Sequence, residues 1–505
     1  MEHKPHLRPH GTGVRGANLS RSSVLFGGPF GRIFRALPAA EFGDDDAASA
    51  AALNALGTAL TADPEAVKEG PDPEESGIPA AYTYFGQFID HDLTFDPASS
   101  LQRQNDPDAL VDYRTPRFDL DNVYGRGPDD QPYLYDNGRK FAQGTALTGA
   151  AANPNARDLP RLGAGDRAVI GDPRNDENVI VSQLQGLLHR FHNFMADDAP
   201  GSSFEEVQRA VRWHYQWAVL NDFLPRIVSS DVIADVLPHI ANRTDIVTDP
   251  PRLRFFKFRN EPFMPLEFSA AAYRFGHSMV RPGYRLSETV PMLPIFDPVP
   301  DAGLTGFRKF PSNWAIDWNL LIDLQPRDPA DPTRTQLAYR IDTSLVSPLG
   351  NLPPSIGVNP SVLAQRNLLR GWRMRLPSGQ AIARAMALEP LLDADILIGK
   401  FTGDPGDIKG TIADFGDVFR NNCPLWVYVL AETIEEDTPV QTTAGPVAGK
   451  TRKLGPVGGR IVAETFAGIL LGDSSSYLSQ DPLWTPDVTA SGVFGLREMI
   501  LAALS

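Results

Sequence analysis

Cysteine is almost missing from this chain. Cys423 is the sole one in 505 residues, so no intrachain disulfide can form and a disulfide-stapled scaffold is excluded. That suits a reducing compartment and equally a disulfide-free exported protein. Long apolar runs are missing too. The longest near-apolar stretch, Arg460 to Leu471, is interrupted by Glu464 and Thr465, and it falls short of the ~20 residues that cross a bilayer. The opening residues Met1-Glu2-His3-Lys4-Pro5 are not a charged head followed by an apolar run of signal-peptide length. The expected location is therefore cytoplasmic or non-classically exported. Excess positive charge is absent as well: 47 Lys and Arg face 62 Asp and Glu, for a net charge of −15. Nonspecific binding to nucleic acid or to an anionic membrane is disfavoured, and a small or neutral substrate fits better.

Strand-like alternation is scarce, and no internal repeat stands out. Proline is plentiful instead, with 45 residues spread along the chain among 43 glycines. An apolar fraction of 42% is ample for a core. These features predict a mainly α fold: a single large domain of packed helices with long irregular connections and little β. Residues 1–75 read as an N-terminal arm, partly irregular, with an acidic run at Asp44 to Asp46 and an alanine-rich stretch from Ala47 to Ala62 suited to a short helix. Residues 76–505 read as the catalytic domain.

Helical spacing marks Ile78 to Phe95, with Tyr82, Phe85 and Ile89 in step, and Val179 to Met195. A capping box at Ser203 and Glu206 opens a helix expected to run to Pro225. Another is expected from Phe268 through His277, ending before Pro282. Later ones span Pro360 to Arg370, Gly379 to Leu388, Thr411 to Arg420, Gly459 to Leu471 and Gly492 to Leu504. Proline-rich loops fill Pro97 to Pro173.

The segment richest in chemistry is Phe85-Gly86-Gln87-Phe88-Ile89-Asp90-His91-Asp92. On a helix Gln87 and His91 share a face and Asp90 borders it, while Asp92 points about 100° further round. One turn can then serve two sites. A surface helix end with solvated acids is the bland alternative. The flanking aromatics Tyr82, Tyr84, Phe85, Phe88 and Phe95 argue for burial, and buried acids need partners.

This segment resembles the distal-histidine motif of the animal-type haem peroxidases, the peroxidase–cyclooxygenase superfamily, in its myeloperoxidase-like branch; a bacterial member is expected. Four further features of that family have counterparts in the same order. Arg174-Asn175-Asp176-Glu177 precedes the helix carrying Leu188 to Asn193. Tyr273-Arg274-Phe275-Gly276-His277 resembles the proximal-histidine segment. Asn367-Leu368-Leu369-Arg370, then Leu376-Pro377, resembles the segment that orients it. Thr115 to Asp121, then Val123-Tyr124-Gly125, resembles a calcium loop. Together the pieces cover roughly residues 80 to 475.

The resemblance implies an oxidoreductase that binds haem b, reduces hydrogen peroxide through a ferryl intermediate and oxidises small donors such as halides, thiocyanate or phenols, in keeping with a response to oxidative stress. His91 would accept and return a proton, and Arg174 would stabilise the departing oxygen's charge. His277 would ligate iron, with the Asn367 side-chain oxygen accepting its other ring N–H. Arg370 would contact the cofactor. Gln87 matches a residue near which halides bind. Asp90 and Glu177 match acids that form ester links to haem. Asn178 stands where a sulfonium-linked relative has methionine, so that link is not expected. Calcium would be held by Asp92, Thr115, Arg117, Asp119 and Asp121, the last replacing a frequent serine. His189 and His192 would be structural.

Three other readings carry distinguishing marks. A fatty-acid dioxygenase of the same superfamily needs a tyrosine three residues before the proximal histidine; Arg274 stands there, and Tyr273 is one position earlier. A metal-dependent phosphohydrolase would place His91, Asp92 and His189 or His192 on a divalent metal. A haem-binding protein without turnover would keep the ligand and lose the chemistry. The partners expected are hydrogen peroxide and a small reducing substrate, with no nucleic acid and no integral membrane segment.

Overall fold

The computed structural model describes residues 30–505 apart from 66, 68, 69, 95–113, 259, 260, 300, 326–333, 355 and 490–492. The expected arm before residue 30, and Phe95 of the expected helix end, lie outside the described residues. The chain is 41% helical and 13% strand, as its patterning predicts. The strands form only separate two-stranded pairs among the described residues.

Helix α1, Asp46–Ala59, is the alanine-rich stretch, started by Asp45, whose side chain accepts from the Ala48 N–H at 2.7 Å. Helix α2, Ala81–Leu93, carries the Gln87-Asp90-His91-Asp92 segment and is buried on nearly every side. Phe85 and Phe88 meet Tyr215 edge-on, with ring centroids 6.1 and 6.2 Å apart. Helix α3, Val179–Asp198, is capped by Asn178, whose Oδ1 accepts from Ile180 and Val181 N–H at 3.1 and 2.9 Å. Helix α4, Phe204–Ala218, opens with the expected Ser203/Glu206 capping box. Helix α5, Leu363–Arg373, carries Asn367 and Arg370. Helix α6, Gly458–Gly472, is buried almost along its whole length in the core, with its charges Arg460 and Glu464 paired at 3.1 Å.

The packing shows no break at residue 75. Phe30, Phe34, Phe42, Leu53 and Leu56 belong to the same buried cluster as α2, α3 and α6. Phe30–Gly31 pairs in parallel with Met264–Pro265. Helix α1 lies so close to α5 that a Cβ on Gly57 would come 2.8 Å from the Gln365 backbone nitrogen. Only glycine permits that approach, so a larger residue at 57 would push the two helices apart.

Several expected helices differ in form. The helix expected to reach Pro225 ends as α at Ala218, widens into a π turn over Val219–Phe223 and resumes as Leu224–Ile227. The proline lacks an N–H and is accommodated at the start of the last piece. The segment around His277 is not one helix. A short α turn, Leu266–Ser269, is followed by a 3-10 helix, Ala272–His277, because Ala271 leaves helical geometry at φ −141° and ψ −73°. Thr411 to Arg420 is two 3-10 turns, Ile412–Phe415 and Asp417–Phe419, split by Gly416 at φ 143°. The remaining expected helices form over shorter or shifted spans, Gly379–Ala385 and Leu496–Leu504. No helix among the described residues is long and apolar enough to cross a membrane.

Candidate functional site

A cavity of about 330 Å³ opens between α2 and the 3-10 helix Ala272–His277. Its wall includes Gln87, Asp90 and His91 from α2, Glu177 and Asn178 from the entrance to α3, and Tyr273 to His277 opposite. His91 and His277, 186 positions apart in sequence, therefore face one enclosed space. The rest of the wall is largely apolar, with Phe223 from the π turn and Leu349, Leu352 and Leu363 among its members.

The position of His91 follows from α2, and its orientation from the turn before α3. His91 Nδ1 lies 2.7 Å from Asn175 Oδ1, so the ring donates there and leaves Nε2 toward the cavity. Nε2 is 3.6 Å from Glu177 Oε1. Burial raises the Glu177 carboxyl's pKa, against the lowering effect of His91 and Arg174. Gln87 Nε2 donates to Glu177 Oε1, and Gln87 Oε1 accepts from Asn178 Nδ2 at 3.2 Å. The amide donor of Gln87, expected to face a halide, is thus directed at Glu177. Asp90 accepts from the Thr94 hydroxyl at 3.1 Å.

The loop before α3 is held rigidly. Arg161 grips Asp176 through two bonds of 2.7 and 2.8 Å, and Gly306 and Phe307 N–H donate to the Glu177 and Asp176 carbonyls. Arg174 is brought to α2, where Nη2 donates to the His91 carbonyl at 2.9 Å. It lines a neighbouring cavity of about 170 Å³ with Asp90, Thr94, Arg274 and Arg370, rather than the larger one. Asp90 and Arg274 border both spaces. Asp172 orients Arg174, accepting from its backbone N–H at 2.8 Å, from Nε at 3.2 Å and from Nη2 at 2.8 Å.

His277 is partly buried and held neutral. Burial first, and the nearby Arg274 second, press its pKa down to about 3. Asn367 on α5 is its partner, as expected, at 2.8 Å from Nδ1. The amide faces the other way from the expectation: Nδ2 points to His277, while Oδ1 accepts from Arg274 Nη1 at 3.4 Å. Ligation through Nε2 requires a half-turn of this amide, so that Oδ1 accepts from Nδ1–H. Gly276, beside His277, has open space where a Cβ would stand, which leaves that wall clear for a flat group.

On the opposite side of α2, Asp92, Asp119 and Asp121 each bring a carboxylate oxygen within 4.8 Å of the others. Both Asp92 side-chain oxygens are buried without a hydrogen-bond partner, while Asp121 is held by Arg114 at 3.0 Å. Burial, reinforced by Asp119 and Asp121, drives the Asp92 pKa up. Buried carboxylates gathered this closely repel one another, and such a set offers the oxygen donors that a hard cation takes. The Thr115 hydroxyl donates to Asp119 at 2.7 Å. Arg117 lies in the same loop with its guanidinium 3.8 Å from Asp473.

The two histidines of α3 are not metal ligands here. His192 donates from Nε2 to the Arg139 carbonyl at 2.8 Å, and its Nδ1 accepts from the Tyr124 hydroxyl at 3.0 Å. His189 stacks on Phe141 with centroids 4.2 Å apart. Neither joins Asp92, which removes the geometric basis of the phosphohydrolase reading. The residues that sequence reasoning passed over are Asn175, Gln185, Asp172 and Arg114. Asp172 had a local signal, an aspartate ahead of a proline at a helix start; the others had none.

Residues 98–295 match the animal haem peroxidase family. That span contains Arg174, Glu177 and His277 and stops short of His91 and Asn367. The chain is 27% identical over 203 residues to Dual oxidase 1 of Caenorhabditis elegans. It is 24% identical over 255 residues to a peroxidase-like protein of Margaritifera margaritifera. These matches take in 36% and 39% of this chain, and only 12% and 31% of the relatives' lengths. In fold it resembles peroxidase A from Dictyostelium discoideum, with a TM-score of 0.53 at 16% identity over 90% of this chain and 88% of that one. It also resembles a fatty acid alpha-dioxygenase from Oryza sativa, with a TM-score of 0.50 at 14% identity over 89% and 76%.

Proposed function

We propose that this chain is a haem-dependent peroxidase that reduces hydrogen peroxide and oxidises small donors such as halides, thiocyanate or phenols. The family match and the peroxidase-like fold support membership of the animal haem peroxidase superfamily. The observation that carries the reading is the single cavity lined by His91 and His277 together with Gln87, Asp90 and Glu177. The residues fit a porphyrin: a neutral, partly buried imidazole on one side, a glycine leaving its wall open, and a second imidazole with a free Nε2 on the other.

His277 would hold the iron and Asn367 would brace its ring. Arg370 and Arg274, on the wall of the smaller cavity, suit the cofactor's carboxylates. Bound there, iron porphyrin supplies a redox-active centre at which peroxide is reduced. His91 Nε2 takes the proton from one peroxide oxygen and returns it to the departing one. Arg174, its charge fixed by Asp172, favours the negative charge on the departing oxygen. Gln87 orders water or a small anion. Asp90 and Glu177 both reach the main cavity, which keeps ester links to the cofactor within their reach. Asp92, Asp119 and Asp121, with Thr115 and the Arg117 carbonyl, would hold calcium and brace α2 from behind.

The purified protein is expected to show a Soret band and to oxidise bromide, iodide, thiocyanate or a phenol only with peroxide present. Oxygen-dependent turnover of an unsaturated fatty acid without peroxide would favour the dioxygenase reading instead. Tyr273 in the cavity wall is the feature on its side. Its hydroxyl, however, is engaged with the Gly86 carbonyl at 3.2 Å.

A further inference from the structure

The His91 ring is the near end of a buried chain of polar groups that leads away from the cavity. Its Nδ1 lies 2.7 Å from Asn175 Oδ1. Asn175 Nδ2 donates to Gln185 Oε1 at 2.7 Å. Gln185 Nε2 lies 2.9 Å from His189 Nε2. A carbonyl oxygen only accepts and an amide nitrogen only donates, so each bond has one direction. His91 donates to Asn175, Asn175 to Gln185, and Gln185 to His189. Asn175 and Gln185 are fully buried, and the two histidines nearly so, so water does not compete for these partners.

The far end resists reversal. His189 is stacked nearly parallel on Phe141, at 5° between planes, which fixes its ring. Burial, and secondarily His192, press its pKa down to about 3, which keeps it neutral. Gln185 and His189 lie one helical turn apart on the same face of α3, so the backbone itself sets their spacing. If the chain ran the other way, Asn175 would donate to His91 and the ring proton would move to Nε2. A ring with its proton on the cavity-facing nitrogen has no lone pair there and cannot accept a proton from substrate.

We propose that Asn175, backed by Gln185 and His189, is the positioning residue that holds His91 with its proton on Nδ1 and its lone pair on Nε2 toward the cavity. This rests on the peroxidase reading for its catalytic meaning, although the tautomer itself does not. The chain acts through hydrogen-bond direction and carries no net proton.

The test compares Asn175→Leu, Asn175→Asp and Gln185→Leu with the parent. Leucine keeps the approximate volume and removes the acceptor. Aspartate keeps an acceptor oxygen facing Nδ1. Nitrogen-15 NMR of ring-labelled histidine, in the haem-loaded ferrous carbonyl state and without haem, reads which nitrogen of His91 carries the proton. The parent is expected to show Nδ1–H alone, Asn175→Leu a mixture of tautomers, and Asn175→Asp the parent pattern. The bimolecular rate of peroxide reaction, followed at the Soret band, should fall about 10- to 100-fold in Asn175→Leu, part of the range general acid–base groups contribute. It should return close to the parent in Asn175→Asp. An unchanged tautomer and rate in Asn175→Leu overturns the proposal. If that variant does not fold, Gln185→Leu decides: it leaves Oδ1 in place but frees the Asn175 amide to turn. A tautomer mixture there supports the chain, and a pure Nδ1–H form overturns it. A parent protein that takes up no haem rejects the peroxidase reading, while the haem-free spectra still judge Asn175.

Discussion

Asp172 is the residue whose removal should be felt most widely. It is 1% exposed and accepts three hydrogen bonds from Arg174, on the backbone N–H, Nε and Nη2, and another from Arg114. Replacing it by alanine leaves two guanidiniums facing a void. Removing one partner of a buried ion pair costs roughly 3–5 kcal/mol. The lower end applies, since Arg174 keeps 20% of its side chain exposed and Arg114 keeps Asp121 at 3.0 Å. The expected loss is about 3 kcal/mol for Asp172→Ala and roughly 1.5–3 for Asp172→Asn, the worth of hydrogen bonds to charged groups. Burial alone would raise the carboxyl's pKa, but Arg174 and Arg114 outweigh it and hold it below its ordinary value. A depressed pKa contributes stability that is complete above the unfolded value, near ~3.9, and is lost as pH falls toward the folded one. Denaturant titrations of parent and Asp172→Asn should therefore give a constant gap from neutral pH to about 5 that closes below about 4. The peroxide reaction should slow as well, because Arg174 loses its support. A gap under about 1 kcal/mol at neutral pH, or one that widens in acid, refutes the reasoning.

Four other outcomes are expected. His277→Ala should abolish the Soret band of the purified protein, and added imidazole should restore part of it; a retained native band would remove His277 as ligand. His91→Ala and Arg174→Gln should keep haem but slow peroxide reduction by about 10²–10⁴-fold in stopped-flow measurements. Chelation should lower the melting temperature and calcium should raise it, through about 2.7 kcal/mol of added stability at a hundred times the dissociation constant. Asp92→Asn should erase that response, and metal analysis of the parent should find about one calcium per chain lost in the variant. Denaturation and extraction with acidified organic solvent should leave haem on the chain where Asp90 or Glu177 has formed an ester, and Asp90→Asn with Glu177→Gln should release it all.

The distal helix was legible because its information is local. Tyr82, Phe85 and Ile89 recur at helical spacing, and a polar quartet inside such a sequence must find partners. The grouping of Asp92, Asp119 and Asp121 and the His277–Asn367 pair came only through a resemblance, since residues 90 positions apart carry no local sign of contact. Asn175 stayed invisible for a different reason. It lies between a charged arginine and two acids, and its role exists only once the 3-10 turn Pro173–Asp176 is pressed against α2. The misread helices fail at single backbone positions. Gly416 and Ala271 leave helical geometry although the apolar spacing runs on through them. Helix Leu425–Ala431, buried along its whole length, was missed because a fully buried helix has no polar face to mark a period.

The adjacency of His91 and Asp92 gives the cation cluster a route to the distal chemistry beyond bracing the helix. Asp121 of the cluster pairs with Arg114, which also pairs with Asp172, which in turn orients Arg174, whose Nη2 returns to the carbonyl of His91. Charge alternates from Asp121 through Arg114 and Asp172 to Arg174, which ends on a backbone carbonyl of α2. Arg114 thus bridges Asp121 of the acidic cluster and Asp172, which holds Arg174. Arg114 can do this because a planar guanidinium presents separate N–H groups to two carboxylates at once; an ammonium is a point charge that serves one geometry less well. Asp121 thereby ties the acidic cluster behind α2 to the pair that positions Arg174.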